Sequence, residues 1–378
     1  MADQSSPSHE RTSPVLSRRM RYLLTVSSVT LFAFMLLAVY LSPFAYMSVT
    51  AFKNRAQITD PKNPLFPLSA TYTYRGKEVT YTFESGGREG EIALQPGDEF
   101  DLYEVEQGGT THQWALVVPR RGESFFIDPG DLDAGLIRWE GEWRTLQPTY
   151  RLDLQFGNFS RAWSELDFLQ KIRNTLIIAI AGDIGTLVSC TLVAYGFSRF
   201  RIPGKGILLV ILTGTIILPG QVTLIPTYTL FWKIGWVGTF APLIIPHFFA
   251  NAYNVFLLRQ YFLTIPKDMD EAAMLDGAGP LRTLLSVILP QAIPVLIAVV
   301  LFHFVFAWND YFAPLIYLSG KPDLQPISVA IQYYNQTYVF EPYMIQATAI
   351  MGLVLPVVIF FLGQRVFMRG VVAPSIGK

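Results

Sequence analysis

Six stretches of about 20 mostly apolar residues run through this chain, and segments of that kind have few ways to fold. In lipid a backbone N–H or C=O finds no partner outside its own helix, so each stretch is expected to become a spanning helix. They fall at 22–48, 174–197, 207–231, 241–258, 287–318 and 344–367. Pro219 and Pro226 are expected to break or bend the third. A signal peptide is the rival reading of the first. Its apolar run exceeds the roughly 7–15 residues of such a peptide and no small-residue cleavage site follows, so it reads as a retained helix.

Charge is thin and unevenly spread. Charged residues are 15% of the chain, against roughly 25% in a soluble domain. Lys+Arg and Asp+Glu balance at 29 each, so no overall basic field points to nucleic acid. One cysteine, Cys190, excludes an internal disulfide, and no Cys/His cluster has metal-ligand spacing. With six spans, Arg18, Arg19, Arg21, Arg199, Arg201, Lys205, Arg259, Lys267, Arg282, Arg365, Arg369 and Lys378 all fall on one side. The positive-inside rule makes that side the cytoplasm, and both termini with it. The expected division is a tail at 1–21, a helix at 22–48, an extracytoplasmic segment at 49–173, helices over 174–367 and a tail at 368–378.

Residues 50–170 hold 19 acidic and 12 basic residues, a net charge of −7. Within them Thr71-Tyr-Thr-Tyr, Val79-Thr-Tyr-Thr-Phe, Trp114-Ala-Leu-Val-Val and Ser124-Phe-Phe-Ile read as strands. Gly86-Gly87, Pro96-Gly97, Gly108-Gly109 and Pro129-Gly130 punctuate them. A small β-sandwich or barrel over about 69–148 is expected, serving as a rigid spacer or docking surface, with a sugar-binding module as the sharper alternative. Asn158-Phe-Ser160 and Asn335-Gln-Thr337 match glycosylation sequons, a pattern short enough to recur by chance.

Between the fourth and fifth helices lies a loop, 265–290, with its own helical signature. Pro266 suits a first helical turn, Asp268 and Glu271 have capping-box spacing, and Gly277 can take a left-handed stop. Pro280 then starts a second helix that enters the membrane at Pro290. The result is a short helix with an acidic first turn and small side chains, joined to a spanning helix by a glycine hinge. Its alanines, Ala272 and Ala273, permit close approach, and Glu271 offers two acceptor oxygens to an arginine. The plain alternative is an ordinary helix–turn–helix connection.

Glu271-Ala-Ala-Met-Leu-Asp-Gly277, followed by Val287-Ile-Leu-Pro290, resembles the EAA loop of ABC-importer permeases, with Val287 in place of the usual isoleucine. Leu192-Val-Ala-Tyr-Gly-Phe-Ser-Arg199 and Arg201-Ile-Pro-Gly resemble the end of that family's second helix and its following loop. Leu218-Pro-Gly-Gln-Val-Thr-Leu-Ile-Pro226, Phe256-Leu-Leu-Arg-Gln-Tyr-Phe262 and Trp308-Asn-Asp310 resemble the carbohydrate-uptake branch, the maltose- and glycerol-phosphate-type permeases. The insert has no counterpart in the short-loop members.

The resemblance implies an all-α membrane protein of the ABC-importer permease type, with six transmembrane helices and an inserted extracytoplasmic β-rich domain. It implies a non-enzymatic transport subunit in a bacterial or archaeal inner membrane, coupled to an ATPase dimer through Glu271, Ala272, Ala273, Leu275, Asp276, Gly277 and Pro290. A second permease subunit, an extracytoplasmic solute-binding protein and a sugar would complete the assembly. No Gly-x-x-x-x-Gly-Lys-[Ser/Thr] loop occurs in the chain, so ATP and Mg are expected on the partner ATPase and no cofactor on this one.

Polar groups within spans carry the remaining expectations. Asp183 stands nine residues beyond Asn174, about 13.5 Å deeper at 1.5 Å per residue, near the bilayer midplane. It reads as path lining or as a buried helix partner. Asn251, Tyr253 and Asn254, with Trp308, Asn309 and Asp310, supply the amides, acceptors and flat aromatic faces that sugars need; the same groups could instead cross-link helices. His247 and His303 read as interior histidines rather than metal ligands, and Cys190 as a small buried hydrophobe. The rival functions are an ATP-independent secondary transporter or channel, for which Asp183 would be essential, and a membrane-anchored surface binding protein acting through its insert. The anchored-protein reading leaves the 271–277 loop without work. No His-Glu-x-x-His or Gly-x-Ser-x-Gly motif suggests an embedded enzyme.

Overall fold

The computed structural model describes residues 18–59, 65–85, 88–107, 109–335 and 340–372. The expected Gly86-Gly87 turn, Gly108, the Gln336-Thr337 end of the second sequon and the outer parts of both tails lie outside the described residues. So do the side chains of Arg18, Arg19, Arg21, Arg365 and Arg369.

Long apolar runs dictate helices, and helices form. Helix α1 covers Arg18–Ala51, and its span Tyr22–Ala51 has a mean hydropathy of 2.1 over its most apolar stretch. A short helix α2 (Arg55–Thr59) leads from it towards the insert. Asn54 and Gln57 close this turn reciprocally: the Gln57 N–H donates to Asn54 Oδ1 at 2.9 Å and the Asn54 N–H to Gln57 Oε1 at 2.8 Å.

The insert is built on one antiparallel sheet. Its strands are β1 (Leu68–Ser69), β2 (Thr71–Thr73), β3 (Val79–Ser85), β4 (Arg88–Leu94), β5 (Glu99–Gln107), β6 (Thr110–Val118), β7 (Glu123–Ile127), β8 (Ile137–Glu140), β9 (Gln147–Pro148) and β10 (Arg151–Leu152). The order is β2-β5-β6-β7-β8, with β9 also paired to β5. Alternation sends side chains to two faces. Leu102, Ala115, Val117 and Ile127 meet Tyr74 and Leu94 on one face. Tyr103, Val105, Trp114, Leu116 and Phe126 gather on the other, covered by Ile137, Trp139 and Trp143. The β3–β4 hairpin supplies Tyr81, Ile92 and Leu94 as a second layer over the first face, so the unit is an open, layered sheet rather than a closed barrel. Strands β1 and β10 pair antiparallel and form the neck of the insert.

The chain returns to the bundle through α3 (Gly157–Glu165) and α4 (Phe168–Arg199). Asn158, the first sequon residue, is 9% exposed and donates its amide to Ala51 O at 2.9 Å and Lys53 O at 2.8 Å. It ties α3 to the end of α1. Helix α4 begins at Phe168, six residues before the expected 174, and Asn174 instead anchors the 322–325 loop, donating to Asp323 O at 2.7 Å.

The expected third span is two helices, α5 (Lys205–Gly214) and α6 (Gly220–Lys233), forming a pair bent by 98°. The break falls at Pro219, while Pro226 is accommodated inside α6. The fourth is also interrupted. Helix α7 (Ala241–Ile244) passes into a tight turn at Ile245–Phe248, and α8 (Ala252–Thr264) restarts behind Asn251. Pro242 and Pro246 carry no N–H for a continuous ladder.

Beyond α9 (Asp268–Leu275) and α10 (Pro280–Thr283), a widened π-type turn at Leu284–Ile288 leads into α11 (Leu289–Asn309). The wide turn removes the clash that Pro290 would make with the carbonyl four residues before it. The fifth helix ends at Asn309, not 318. Asp310 is extended (φ −66, ψ 113), because Pro314 forbids a helical carbonyl there. Helices α12 (Phe312–Tyr317), α13 (Ile327–Ala330) and α14 (Pro342–Val372) complete the order. Among the described residues, five helices are long and apolar enough to span, six with the bent pair. Their largest buried cluster joins Cys190 and Ala194 of α4 to Val255, Leu258 and Phe262 of α8 and Ala292, Val295 and Val299 of α11.

Candidate functional site

The first candidate is the loop after α8. Lys267, not Asp268, precedes the first helical residue of α9, and no side chain caps it, so the expected Asp268–Glu271 capping box does not form. Asp268, Asp270 and Glu271 still occupy the first turn, where the positive end of the helix favours them. At the other end Gly277 is left-handed (φ +79). Ala278 N–H reaches Ala273 O at 2.9 Å and Gly277 N–H reaches Met274 O at 3.0 Å, closing the helix by returning to its last carbonyls.

The helix has two different faces. Asp270 and Ala273, three apart, turn inward and are buried. Asp270 Oδ2 lies 2.8 Å from Arg199 Nε at the end of α4, with side chains only 8% and 7% exposed. Arg199 also donates to Ile265 O at 3.0 Å, Tyr195 Oη to Pro280 O at 3.2 Å, and Arg259 to Phe197 O at 3.3 Å. Burial pushes the Asp270 carboxyl up, against the pull of Arg199 and Lys267. Glu271, Ala272, Met274, Leu275, Asp276 and Gly277 face outward, Leu275 being 89% exposed. Pro290 is exposed at the start of α11. The Asp270–Arg199 latch is not among the sequence expectations, in which Arg199 counts only as a flanking charge and as the end of a motif. The inward spacing of Asp270 and Ala273 was its available signal.

The second candidate lies inside the bundle. A cavity of about 410 Å³ is lined by Thr223, Thr227, His247, Phe306, Asp310 and Tyr317, among others. Of the polar residues expected to line a path, only Asp310 reaches it. Asp183 is buried behind it, its Oδ1 2.9 Å from His303 Nδ1. Asn251 caps α8 by accepting from Asn254 N–H at 2.9 Å, and its own N–H meets Cys190 Sγ at 3.4 Å. Asn254 is buried, with an amide oxygen that has no hydrogen-bond partner among the described residues. Trp308 is buried and donates Nε1–H to Gly352 O at 3.1 Å, joining α11 to α14. Asn309 is exposed and donates to Val305 O, and Tyr253 is exposed on α8. The histidines are interior: His303 Nε2 lies 3.0 Å from His247 Nδ1.

A family model for the inner membrane component of binding-protein-dependent transport systems matches residues 187–371. The osmoprotective compounds uptake permease GgtD of Synechocystis sp. is 29% identical over 239 residues, 63% of this chain and 79% of its own. The sn-glycerol-3-phosphate transport system permease UgpE of Rhizobium meliloti is 32% identical over 201 residues, 53% of this chain and 71% of its own. Among solved structures, a bacterial ABC transporter involved in the import of the acidic polysaccharide alginate shares the fold. The match has a TM-score of 0.60 at 18% identity and covers 93% of this chain and 99% of that one. With its apolar helices, its latched 268–277 loop and these relatives, the chain belongs to the inner-membrane permease components of binding-protein-dependent ABC transport systems.

Proposed function

We propose that this chain is one of two permease subunits of an ATP-driven importer and forms half of the path for a sugar-type solute. A separate ATPase drives it through α9. The observation that carries this reading is the two-faced helix. One face is fixed to α4 by the buried Asp270–Arg199 pair, and the other bares Glu271, Met274 and Leu275 with no cover among the described residues. A rigidly held helix with an apolar, acidic outer face is a lever without its socket. Closure of an ATPase cleft around it would be passed through α10 and α11 to the bundle, a rocking form of alternating access. ATP and Mg belong to that partner, and this subunit performs transport rather than catalysis.

Relatives named for osmoprotective compounds, sn-glycerol 3-phosphate and alpha-glucosides support a small, hydroxyl-rich solute. The clustered Arg199, Arg201, Lys205, Arg259, Lys267 and Arg282 support a cytoplasmic position for α9, with both termini on that side and the insert outside, facing a solute-binding protein. The insert then acts as a rigid spacer or docking surface. The test is gentle purification of the tagged full chain from its native membrane. An ATPase, a second permease and a binding protein carrying a sugar are expected to accompany it. A chain isolated reproducibly without an ATPase would overturn the reading.

A further inference from the structure

A Cβ on Gly182 would lie 2.7 Å from His303 Cε1 and 3.3 Å from His247 Cδ2. Only glycine lets both imidazoles approach α4 this closely. They form a chain there. Asp183 Oδ1 meets His303 Nδ1 at 2.9 Å, and His303 Nε2 meets His247 Nδ1 at 3.0 Å, with the rings set edge to face. Asp183 and His303 are buried, whereas His247, on the turn between α7 and α8, is half-buried and lines the cavity.

With Asp183 ionised, this order fixes the protons. An ionised carboxylate can only accept, so His303 carries its hydrogen on Nδ1 and has a lone pair at Nε2. That lone pair requires the N–H of His247 at Nδ1. The second nitrogen of neutral His247, Nε2, is then an acceptor, and no group among the described residues donates to it. The rest of the wall is similar in kind. Asp310 is a carboxylate that takes the Ala313 N–H at 3.3 Å. Thr223 and Thr227 give their hydroxyl hydrogens to Gly220 O at 3.0 Å and Thr223 O at 2.6 Å, leaving lone pairs. Phe231 and Phe306 supply aromatic surface, Tyr317 adds a ring and a hydroxyl that can donate, and among the described residues no lysine or arginine lines the cavity.

Several acceptors and the Tyr317 hydroxyl, without a cation, suit a solute that brings hydroxyl groups and no negative charge. A phosphate or carboxylate would meet Asp310 and the His247 lone pair with nothing to neutralise it. We infer that this cavity takes a neutral, polyhydroxylated solute, with His247 Nε2 accepting one of its hydroxyls and Asp183 and His303 positioning the ring. This rests on the transport reading proposed above, and it narrows the solute class to neutral sugars and polyols.

The full chain in lipid nanodiscs is treated with diethyl pyrocarbonate, which acylates unprotonated imidazole nitrogens, and its 4 histidines are mapped by mass spectrometry. His247 is expected to be modified and His303, with both nitrogens engaged, to be spared. At least one of glycerol, trehalose and maltose at high concentration should slow the His247 reaction severalfold, and glucose 6-phosphate should leave it unchanged. The titratable groups facing His247 are Asp183 and His303 behind the ring and Asp310 and Tyr317 across the cavity. Asp183→Asn is therefore expected to lower the pH at which His247 escapes labelling, because the carboxylate no longer supports the imidazolium. An Asp183 that only fills space would leave that pH unmoved. Labelling of His303 in place of His247, protection by none of the neutral solutes, or equal protection by glucose 6-phosphate overturns the inference.

In proteoliposomes of the assembled importer, His247→Leu should lower solute-stimulated ATP hydrolysis about tenfold, the order expected for one lost hydrogen bond. His247→Gln, which keeps an acceptor oxygen, should restore most of it. Full activity in His247→Leu contradicts the assignment. A wild-type assembly with no solute-stimulated hydrolysis would instead sink the transport reading, and the labelling result would judge the cavity on its own.

Discussion

Asp270 and Arg199 join the 265–280 loop to α4 through a buried contact of 2.8 Å, beside the bonds of Arg199 to Ile265 O and of Tyr195 to Pro280 O. Removing one member of such a pair typically costs about 3–5 kcal/mol, because the other charge is left uncompensated in a dry site. Arg199→Met is therefore expected to lower the melting temperature of the detergent-solubilised chain and to open the loop to trypsin at Lys267. Replacing both residues, Arg199→Met with Asp270→Leu, should recover much of the loss. A single variant that melts and digests like wild type would show that the pair is not a latch. Residues differ in how far the sequence exposes their part. Gly277 is readable in advance, since a left-handed stop requires a residue without a Cβ clash, and φ is +79. The partner of Asp270 is not, because it lies on another helix and no local rule connects them. Trp308 shows the opposite risk. Its residue type suggests a sugar platform, yet its indole N–H is committed to Gly352 O, and chemistry alone does not say which way a ring faces.

Elements that carry their own signal are the legible ones. The four strand segments read from β-branched and aromatic runs lie in β2, β3, β6 and β7, whereas β4 and β5, rich in glutamate, carry a weaker pattern. Helix α3 combines an i,i+4 pair that spacing can foretell with contacts to distant residues that no local pattern foretells. Arg161 lies 2.8 Å from Glu165 and 3.0 Å from Glu341 beside α14, and Tyr334 donates its hydroxyl to Glu165 at 2.9 Å. Burial alone would raise the Glu165 carboxyl, but the hydrogen bonds from Arg161 and Tyr334 and the guanidinium charge hold it below its usual range. A depressed carboxyl stabilises the fold above its unfolded pKa of about 4.3, and that contribution fades as pH falls through the lower folded value. With the Glu165 side chain 37% exposed, solvent screening keeps the effect to roughly 1 kcal/mol or less. Glu165→Gln should thus melt below wild type at neutral pH, and the gap should close under acid conditions. A gap independent of pH would contradict the charge-based clasp.

For the whole molecule, the span count follows from the lipid rule alone, so it is the most legible feature of the fold. The interruption at Pro219 is legible from the proline itself, while those at the Ile245–Phe248 turn and at Asp310 are less so. These two depend on which backbone groups neighbouring helices can satisfy, and they bring His247 and Asp310 to the cavity. Orientation is open to direct test. In intact cells, a membrane-impermeant maleimide is expected to label Glu106→Cys in the insert and to spare Asp268→Cys in α9, while native Cys190 stays buried. Labelling of Asp268→Cys would reverse the topology. The central claim, that α9 couples this subunit to an ATPase, is tested most directly by Glu271→Lys in the reconstituted importer. Truncating one member of a desolvated charge pair at an interface typically costs about 2–5 kcal/mol, so charge reversal should weaken docking at least tens of fold. The account expects uptake and solute-stimulated ATP hydrolysis to fall together while solute binding by the extracytoplasmic partner is unchanged; normal assembly with normal stimulated hydrolysis in Glu271→Lys would contradict it.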